Sequence, residues 1–307
     1  MMAFALRPEQ TGARLAASLR AILREQLGAV QRVLASQVLS LDVEIEAIHE
    51  ARKACKRART VVRLLHDALG AGQARGIGEQ VAQVARRLST VRDEQMLVEI
   101  LAKLHAEVTA RAGAKAERLV HAIEYVQRSL RPTTETSIEL ELRRQLHDEL
   151  ADLLMRTEGL GLALPLGRSL ERGFARLWRR LRRAYRNAYA EPSTESFHTL
   201  RKRVKDGFYA VCLLEPLHHH RLSRLKRRLE RLADQLGLEH DLALLAERLR
   251  YDPSLPEEIS MKLLTHIAAR REKLRQAVEP MTRRLVRRQP ARLSRRIGRA
   301  LRHTGGA

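Results

Sequence analysis

Two stretches of the chain combine a histidine with regularly spaced cations, a pattern suited to binding anions. The first stretch, residues 49–63, reads HEARKACKRARTVVR. At about 100° per residue on a helix, its polar side chains fall within one sector. They are His49, Arg52, Lys53, Lys56, Arg59 and Arg63. Small apolar residues occupy the opposite sector, so one face can pack closely while the other presents roughly one cation per turn.

The second stretch begins at His198 and reads HTLRKRVKDGFYAVCLL. When His198 is aligned with His49 without a gap, the cations of the two stretches coincide. Arg52, Lys53 and Lys56 fall on Arg201, Lys202 and Lys205. Asp93 and Asp241 then follow their histidines at 44 and 43 residues, each within a leucine-rich segment. Two blocks in the same order indicate an internal duplication.

The two copies differ in charge. Asp206 stands where the first copy has Arg57, and Phe208 stands where it has Arg59. His240 replaces the arginine that precedes Asp93. We therefore expect the first half of the chain to contribute more positive charge to any shared site.

Composition predicts that these stretches are carried by helices. Good helix formers dominate, and the 307 residues include only nine prolines and sixteen glycines. Hydrophobic residues make up 44%, enough for a sizeable core. Breaks in the helical pattern fall near residues 70–78, 131–134, 159–167 and 252–254. The sequence thus predicts an all-α protein.

The charge balance predicts a polyanionic partner. Lys and Arg number 58 against 36 acidic residues, a net charge of +22. DNA, RNA, an anionic membrane surface and inorganic polyphosphate all fit this charge. The N-terminus lacks the pattern of a signal peptide, and no segment has the length and apolarity of a membrane span. Cys55 and Cys212 lie on apolar helix faces and are expected to be buried thiols, so we expect a cytoplasmic protein.

The histidine–cation helix occurs twice, and an aspartate follows each histidine after 44 or 43 residues. This pattern resembles the CHAD family, the conserved histidine α-helical domain. The resemblance covers residues 12–288. It implies two four-helix bundles related by a pseudo-two-fold axis, with the histidine helices lining a basic central groove. In this chain the bundles would span about 12–131 and about 167–288. An extra helix would span about 137–157, and residues 289–307 would form a basic, flexible tail.

The resemblance also implies a function, namely non-catalytic binding of inorganic polyphosphate and association with polyphosphate granules. Carried over to this sequence, the binding residues are His49, Arg52, Lys53, Lys56, Arg59, Arg63, His198, Arg201, Lys202 and Lys205. Further arginine-rich faces could extend the lining, at Arg176, Arg179, Arg183, Arg224 and Arg228. Asp93 and Asp241 are expected to be structural, pairing with a cation or a backbone amide. No cofactor is expected.

Two other classes of function remain open from the sequence. The charge alone would support nucleic-acid binding, but aromatic residues, on which single-stranded bases stack, make up only 3% of the chain. A histidine phosphorelay module is the second alternative, because His198 lies on a helix. Against it, Arg203 stands where such helices need a small residue. The run His218 to His220 does not have the spacing of a metal site, so no metal is expected.

Overall fold

The computed structural model describes residues 4–11, 14–36, 41–88, 93–110, 113–129, 139–162, 165–287 and 290–303. In these ranges the regular elements are all helical and none is a strand, so the predicted all-α class is confirmed. The α-helices are α1 Leu15–Ala35, α2 Leu41–Leu64, α3 His66–Leu69, α4 Ala71–Arg87, α5 Asp93–Thr109, α6 Ala114–Ser129, α7 Leu140–Glu158, α8 Leu166–Ala190, α9 Thr194–Leu214, α10 His219–Tyr251, α11 Glu257–Arg287 and α12 Pro290–His303.

The buried apolar residues form two clusters, and neither follows the two halves of the chain. The larger cluster draws on α1, α2, α4, α7, α8, α9 and the first part of α10. In the smaller one, α5 and α6 pack on the second part of α10 and the first part of α11. The division into bundles at about 12–131 and about 167–288 stays a prediction. Helices α5 and α6 bury their apolar faces against helices of the second half.

Helix α2 lies at the centre of the larger cluster. It packs against α1, α4, α8 and α9, and the residues it buries include Ala51, Ala54 and Ala58. These small side chains let neighbouring helix axes approach closely. The closest contact involves α8, where a β-carbon added at Gly173 would lie 2.7 Å from the Cα atom of Leu64. Glycine is therefore required at this crossing.

The helix that carries His198 has a well-defined start. Ser193 precedes α9, and its hydroxyl oxygen accepts a hydrogen bond from the backbone N–H of Ser196 at 3.0 Å. The Ser193 backbone N–H in turn donates to the hydroxyl oxygen of Ser196 at 2.9 Å. This reciprocal capping satisfies amides that would otherwise lack partners at the helix start.

The C-terminal segment and the extra helix are both packed. The extra helix predicted at about 137–157 is α7, which packs against α1. The segment predicted as a flexible tail at 289–307 instead forms α12, which packs on α8; residues 289 and 304–307 lie outside the described ranges. Its helical structure has a simple cause, because Ile297 and Leu301 form an apolar stripe that is buried in the larger cluster.

We predict that Gly173→Ala destabilises the protein by about 2–3 kcal/mol, because the added methyl group would collide with α2 backbone. Gly237→Ala is the matched control, since nothing lies within 4 Å of a β-carbon added at Gly237 in α10. That substitution should stabilise by about 0.5–1 kcal/mol through helix propensity. Urea unfolding monitored by circular dichroism measures both values. Equal stabilities for the two variants would contradict the close packing of α2 on α8.

Candidate functional site

The two histidine helices pack directly against each other, and a shared carboxylate links them. Arg63 of α2 donates through Nη1 to Oδ1 of Asp206 in α9. Arg203 donates through Nη1 to Oδ2 of the same carboxylate at 2.8 Å. Asp206 occupies the position in the second copy that corresponds to Arg57 in the first. The residue that makes the second copy less positive is therefore the carboxylate that binds Arg63 and joins α9 to α2.

Further cations of the two histidine helices interact near this link. Lys53 of α2 lies within electrostatic range of Lys205 of α9, which is also within range of Arg201. Arg59 lies within range of Arg63 and Arg203. Arg180 of α8 lies within range of the same two arginines. We call these residues the crossing cations: Lys53, Arg59, Arg63, Arg180, Arg201, Arg203 and Lys205.

The pKa values of several crossing cations are lowered. Burial is the main cause for Arg59, Arg180, Arg201 and Lys205, and neighbouring positive charges add to it for all of these except Arg201. Asp241 acts in the opposite direction, raising the pKa of Arg201. A lowered pKa means that the protonated form is held at a cost, and a bound anion would relieve that cost. The arrangement therefore favours a negatively charged ligand.

Two buried guanidinium nitrogens strengthen this electrostatic argument. Among the described residues, the Nε atoms of Arg59 and Arg201 have no hydrogen-bond partner. A buried N–H without an acceptor is unfavourable, whereas a phosphate oxygen would satisfy it. One of these donors lies in each half of the chain.

A cavity of about 530 Å³ adjoins the arginine end of α2. Helices α2, α4 and α8 line it, and Glu79 is the one acid among the described residues of its wall. Its cations are Arg59, Arg63, Arg75, Arg86 and Arg180. Arg75 and Arg86 were not found in the sequence because α4 carries no repeated motif. Arg180 could have been found, since it belongs to the arginine-rich face of α8.

The remaining predicted residues on the two helices have partly buried or exposed positions. His49, Arg52 and Lys56 are half-buried on the same face of α2, and each has a polar or electrostatic partner. Lys53 donates from Nζ to Oε1 of Glu50 at 2.6 Å. Lys202 of α9 is exposed. None of the six predicted cationic-face residues of α2 is fully exposed, so this face is not an ordinary solvated surface.

His198 forms a pair with His240, the residue that replaces an arginine in the second copy of the repeat. The Nδ1 atoms of His198 and His240 lie 3.1 Å apart, and the ring centroids lie 4.2 Å apart. One imidazole must therefore donate to a neutral partner. Burial, together with Arg201 and His198, lowers the pKa of His240 to about 3. Burial and the charges of Lys202 and Arg201 also lower the pKa of His198.

A buried carboxylate next to His240 holds α9, α10 and α11 together. Oε1 of Glu239 accepts hydrogen bonds from Arg271 and Arg275, at 2.9 Å and 2.8 Å from their Nη2 atoms. Arg271 also donates to the Thr194 hydroxyl at the start of α9, at 2.9 Å. Nothing in the repeat pattern marks Glu239, because its partners come from a helix that lies after the second repeat.

The further arginines that were considered for the lining separate into different surfaces. Arg176 donates to Oδ1 of Asp67 at 2.7 Å, on the side of α8 that faces α3. Arg179 lines a different cavity, between α8, α11 and α12. Three others are solvent-exposed, namely Arg183 on α8 and Arg224 and Arg228 on α10. Asp93 begins α5, but its side chain lies outside the described part of the structure.

The CHAD domain family matches residues 21–250, which include both histidine helices and the His240–Asp241 pair. The chain belongs to the CHAD family. A crystal structure of the CHAD domain from the plant Ricinus communis has the same fold, with a TM-score of 0.61 and 18% identity over 92% of this chain and 95% of that one. No curated protein sequence matches the chain.

CHAD membership confirms the resemblance predicted from the repeated motif, and the family is associated with polyphosphate binding. The family match ends at residue 250, before α11 and α12. In the described ranges no helix combines the length and apolarity needed to cross a bilayer. The same ranges contain no cluster of three metal-ligating side chains. Burial raises the pKa of the Cys55 thiol to about 12 and that of Cys212 to about 11.

We predict that the histidine pair makes the protein less stable in acid. Below the ordinary histidine pKa of about 6.5, the unfolded chain binds protons that the folded pair does not accept, so stability falls as pH decreases from 7 towards 3. Between pH 7.5 and pH 5, the His240→Gln variant should lose about 1 kcal/mol less free energy of unfolding than the unmodified protein does. This value allows for solvent screening of a partly exposed ring. Urea unfolding at the two pH values measures the free energy of unfolding. His121→Gln, at an exposed position, is the control; equal pH dependence in both variants would contradict the prediction.

Proposed function

We propose that this CHAD protein binds inorganic polyphosphate, without catalysis, through a basic groove along the crossing of α2 and α9. The observation that carries the proposal is the pair of buried, unpartnered Nε donors, on Arg59 and Arg201, within the crossing cations. Family membership supports the same ligand. Each donor would bind a phosphate oxygen, and the chain of phosphates would extend between the two halves.

The chemistry of polyphosphate fits this arrangement. The ligand is a flexible chain with closely spaced negative charges and no bases to recognise. A tight binder therefore needs cations at short intervals on rigid elements, so that little entropy is lost in ordering them. Helix faces hold Arg and Lys one turn apart, and Arg gives bidentate contacts to phosphate. The Asp206 carboxylate orients Arg63 and Arg203 and leaves their remaining N–H groups available for a ligand.

Nucleic acid is a weaker candidate for the same surface. Single-stranded nucleic acid is held by bases stacked on exposed aromatic rings. Here Phe174, Trp178 and Phe197 are buried in the larger core cluster. Sequence-independent phosphate contacts would remain, so DNA and RNA should bind more weakly than long polyphosphate at equal ionic strength.

We also propose that the protein associates with polyphosphate granules. A non-catalytic protein with high affinity for long polyphosphate would collect wherever that polymer accumulates in the cytoplasm. No cofactor is needed for this role, because binding depends on fixed charges alone.

We predict that replacing Arg52, Lys53 and Lys56 together by alanine weakens binding of long-chain polyphosphate at least about tenfold, because each lost cation removes charge-assisted contacts. The variant should also show a shallower fall of log affinity with log salt concentration, since fewer counterions are displaced. Isothermal titration calorimetry at several salt concentrations measures both effects, and circular dichroism checks that the helices are intact.

The control for this variant removes the same charge from other surfaces. Arg144, Arg250 and Lys273 are exposed and do not belong to the crossing. Their triple alanine variant should retain affinity within about threefold, because distant surface charges act only through a screened field. Competition with double-stranded DNA and with RNA at fixed ionic strength tests the nucleic-acid alternative. Equal losses in both triple variants, or preferential binding of DNA or RNA, would contradict the proposal.

We also predict that His198 is not a phosphoryl carrier. Its Nδ1 contacts His240, and its ring is half-buried among cations that would hold a phosphate group by binding rather than by a covalent bond. Incubation with acetyl phosphate followed by mass spectrometry under conditions that preserve phosphohistidine should find no modification at His198 or His49. A stoichiometric phosphohistidine at either position would support the phosphorelay alternative instead.

A further inference from the structure

A second cationic hollow lies on the other side of α8, where α11 and α12 pack against it. Its volume is about 920 Å³, within the range of roughly 300–1,000 Å³ that is typical of small-molecule sites. Among the described residues, six arginines line it together with one acid, Glu171. The arginines are Arg179, Arg182, Arg186, Arg283, Arg287 and Arg295. We call this cavity the arginine hollow.

Three of these arginines lack a hydrogen-bond or ion-pair partner in the described part of the chain. Arg179, Arg186 and Arg287 form no hydrogen bond or ion pair with any residue in the described ranges, and all three are exposed. They come from two helices that pack against each other, so their charges are brought together by the fold. Like charges in the wall of one cavity repel one another, and an anion bound between them would relieve that repulsion.

The wall of the hollow is held in place by other contacts. Arg182 donates from Nη2 to the backbone carbonyl of Val286 at 3.1 Å, which fixes α8 against the end of α11. The Tyr185 hydroxyl donates to Oε1 of Glu279 at 3.1 Å. Glu279 also lies 3.9 Å from Nε of Arg283. A rigid wall lets a ligand bind without a large loss of side-chain entropy.

The indole of Trp178 is an independent sign of a missing acceptor. Trp178 lines the arginine hollow and is only 3% exposed. Its Nε1–H has no hydrogen-bond partner in the part of the chain that is described. Buried indole N–H groups usually find an acceptor, and an anionic oxygen in the hollow would supply one.

The arginine hollow is distinct from the crossing cations. On α8, Arg176 donates to Asp67 of α3, and Arg180 lies close to Arg63 of α2 and Arg203 of α9. The hollow is on the opposite flank, and the buried residues Phe174, Leu177 and Leu181 lie between the two. Two of the three helices that build it, α11 and α12, lie outside the region that matches the CHAD family.

We propose that the arginine hollow is a second binding site, for a compact anion that carries several phosphate groups. Arginine forks bind phosphate oxygens in pairs. The described wall carries six arginines against Glu171, with Glu279 close to Arg283, so the remaining positive charge favours a multiply charged ligand. A short inorganic oligophosphate has this charge and size. The site does not depend on the polyphosphate groove and would exist even if that groove bound another polymer.

The chain provides its own probe for this site, because Trp178 is its one tryptophan. Inorganic tripolyphosphate titrated into the full-length protein should change the tryptophan fluorescence with a saturable curve. Sulfate at the same ionic strength should produce a much smaller change. In Arg186→Gln/Arg287→Gln, affinity for tripolyphosphate should fall about tenfold or more, through loss of charge-assisted hydrogen bonds. These two arginines have no described partner, so the fold should be retained.

Two further variants separate this site from the groove. The alanine variant at Arg52, Lys53 and Lys56 should keep the fluorescence response to tripolyphosphate and its affinity. Arg144→Gln/Arg250→Gln, which removes two exposed charges elsewhere, should behave as the unmodified protein does. If the hollow variant unfolds, Arg179→Gln replaces it. Unchanged affinity in the hollow variant, or an equal loss in the groove variant, would overturn the second site. Failure of long-chain polyphosphate to bind the unmodified protein would overturn only the first.

Discussion

The close packing of α2 against α8 and α9 is the constraint on which the rest of the structure depends. Small residues permit it, with Ala54 and Ala58 buried on α2 and Gly173 placed against the backbone of Leu64. Larger side chains at these positions would separate the helices. The cations of the two repeats would then be too far apart to act on one ligand. The small residues on the apolar side of each helix therefore set how close the cations on its polar side lie to those of the neighbouring helix.

This packing has an electrostatic cost, and the protein offsets only part of it. Asp206 bonds to Arg63 and Arg203, and Asp241 lies beside Arg201. Several neighbouring cations nevertheless keep lowered pKa values. In the second half a neutral histidine pair, His198 with His240, stands where another charge would add to the repulsion. A folded protein with uncompensated cations is less stable than it could be, and the proposed polyanion ligand would meet charges that are already positioned.

Much of the fold and the main elements of the site could be predicted from the sequence. Helix periodicity and the repeat identified α2 and α9, their cationic faces and the CHAD family. The pattern could not show that α5 and α6 pack on α10 and α11, because an apolar helix face does not specify which partner will bury it. It also could not reveal α12 as a packed helix, since arginine-rich composition concealed the buried stripe that includes Ile297. Arg75 and Arg86 were not predicted as site residues, because only the packing of α4 on α2 brings them into the same cavity as the arginines of α2 and α8.

The sequence by itself determined the helical class, the repeated histidine–cation motif and the large excess of positive charge. These properties follow from residue type and spacing along one chain, which local helix geometry converts directly into faces. Only the tertiary structure decided which charges meet. In the folded chain Arg63 of α2 binds Asp206 of α9, and His198 contacts His240. Arg176 and Arg179 belong to the same helix but lie on two separate surfaces. Such contacts form where helices that are distant in sequence cross one another. Their interaction energies depend on the distance between the charged groups, and the packing of the core sets that distance.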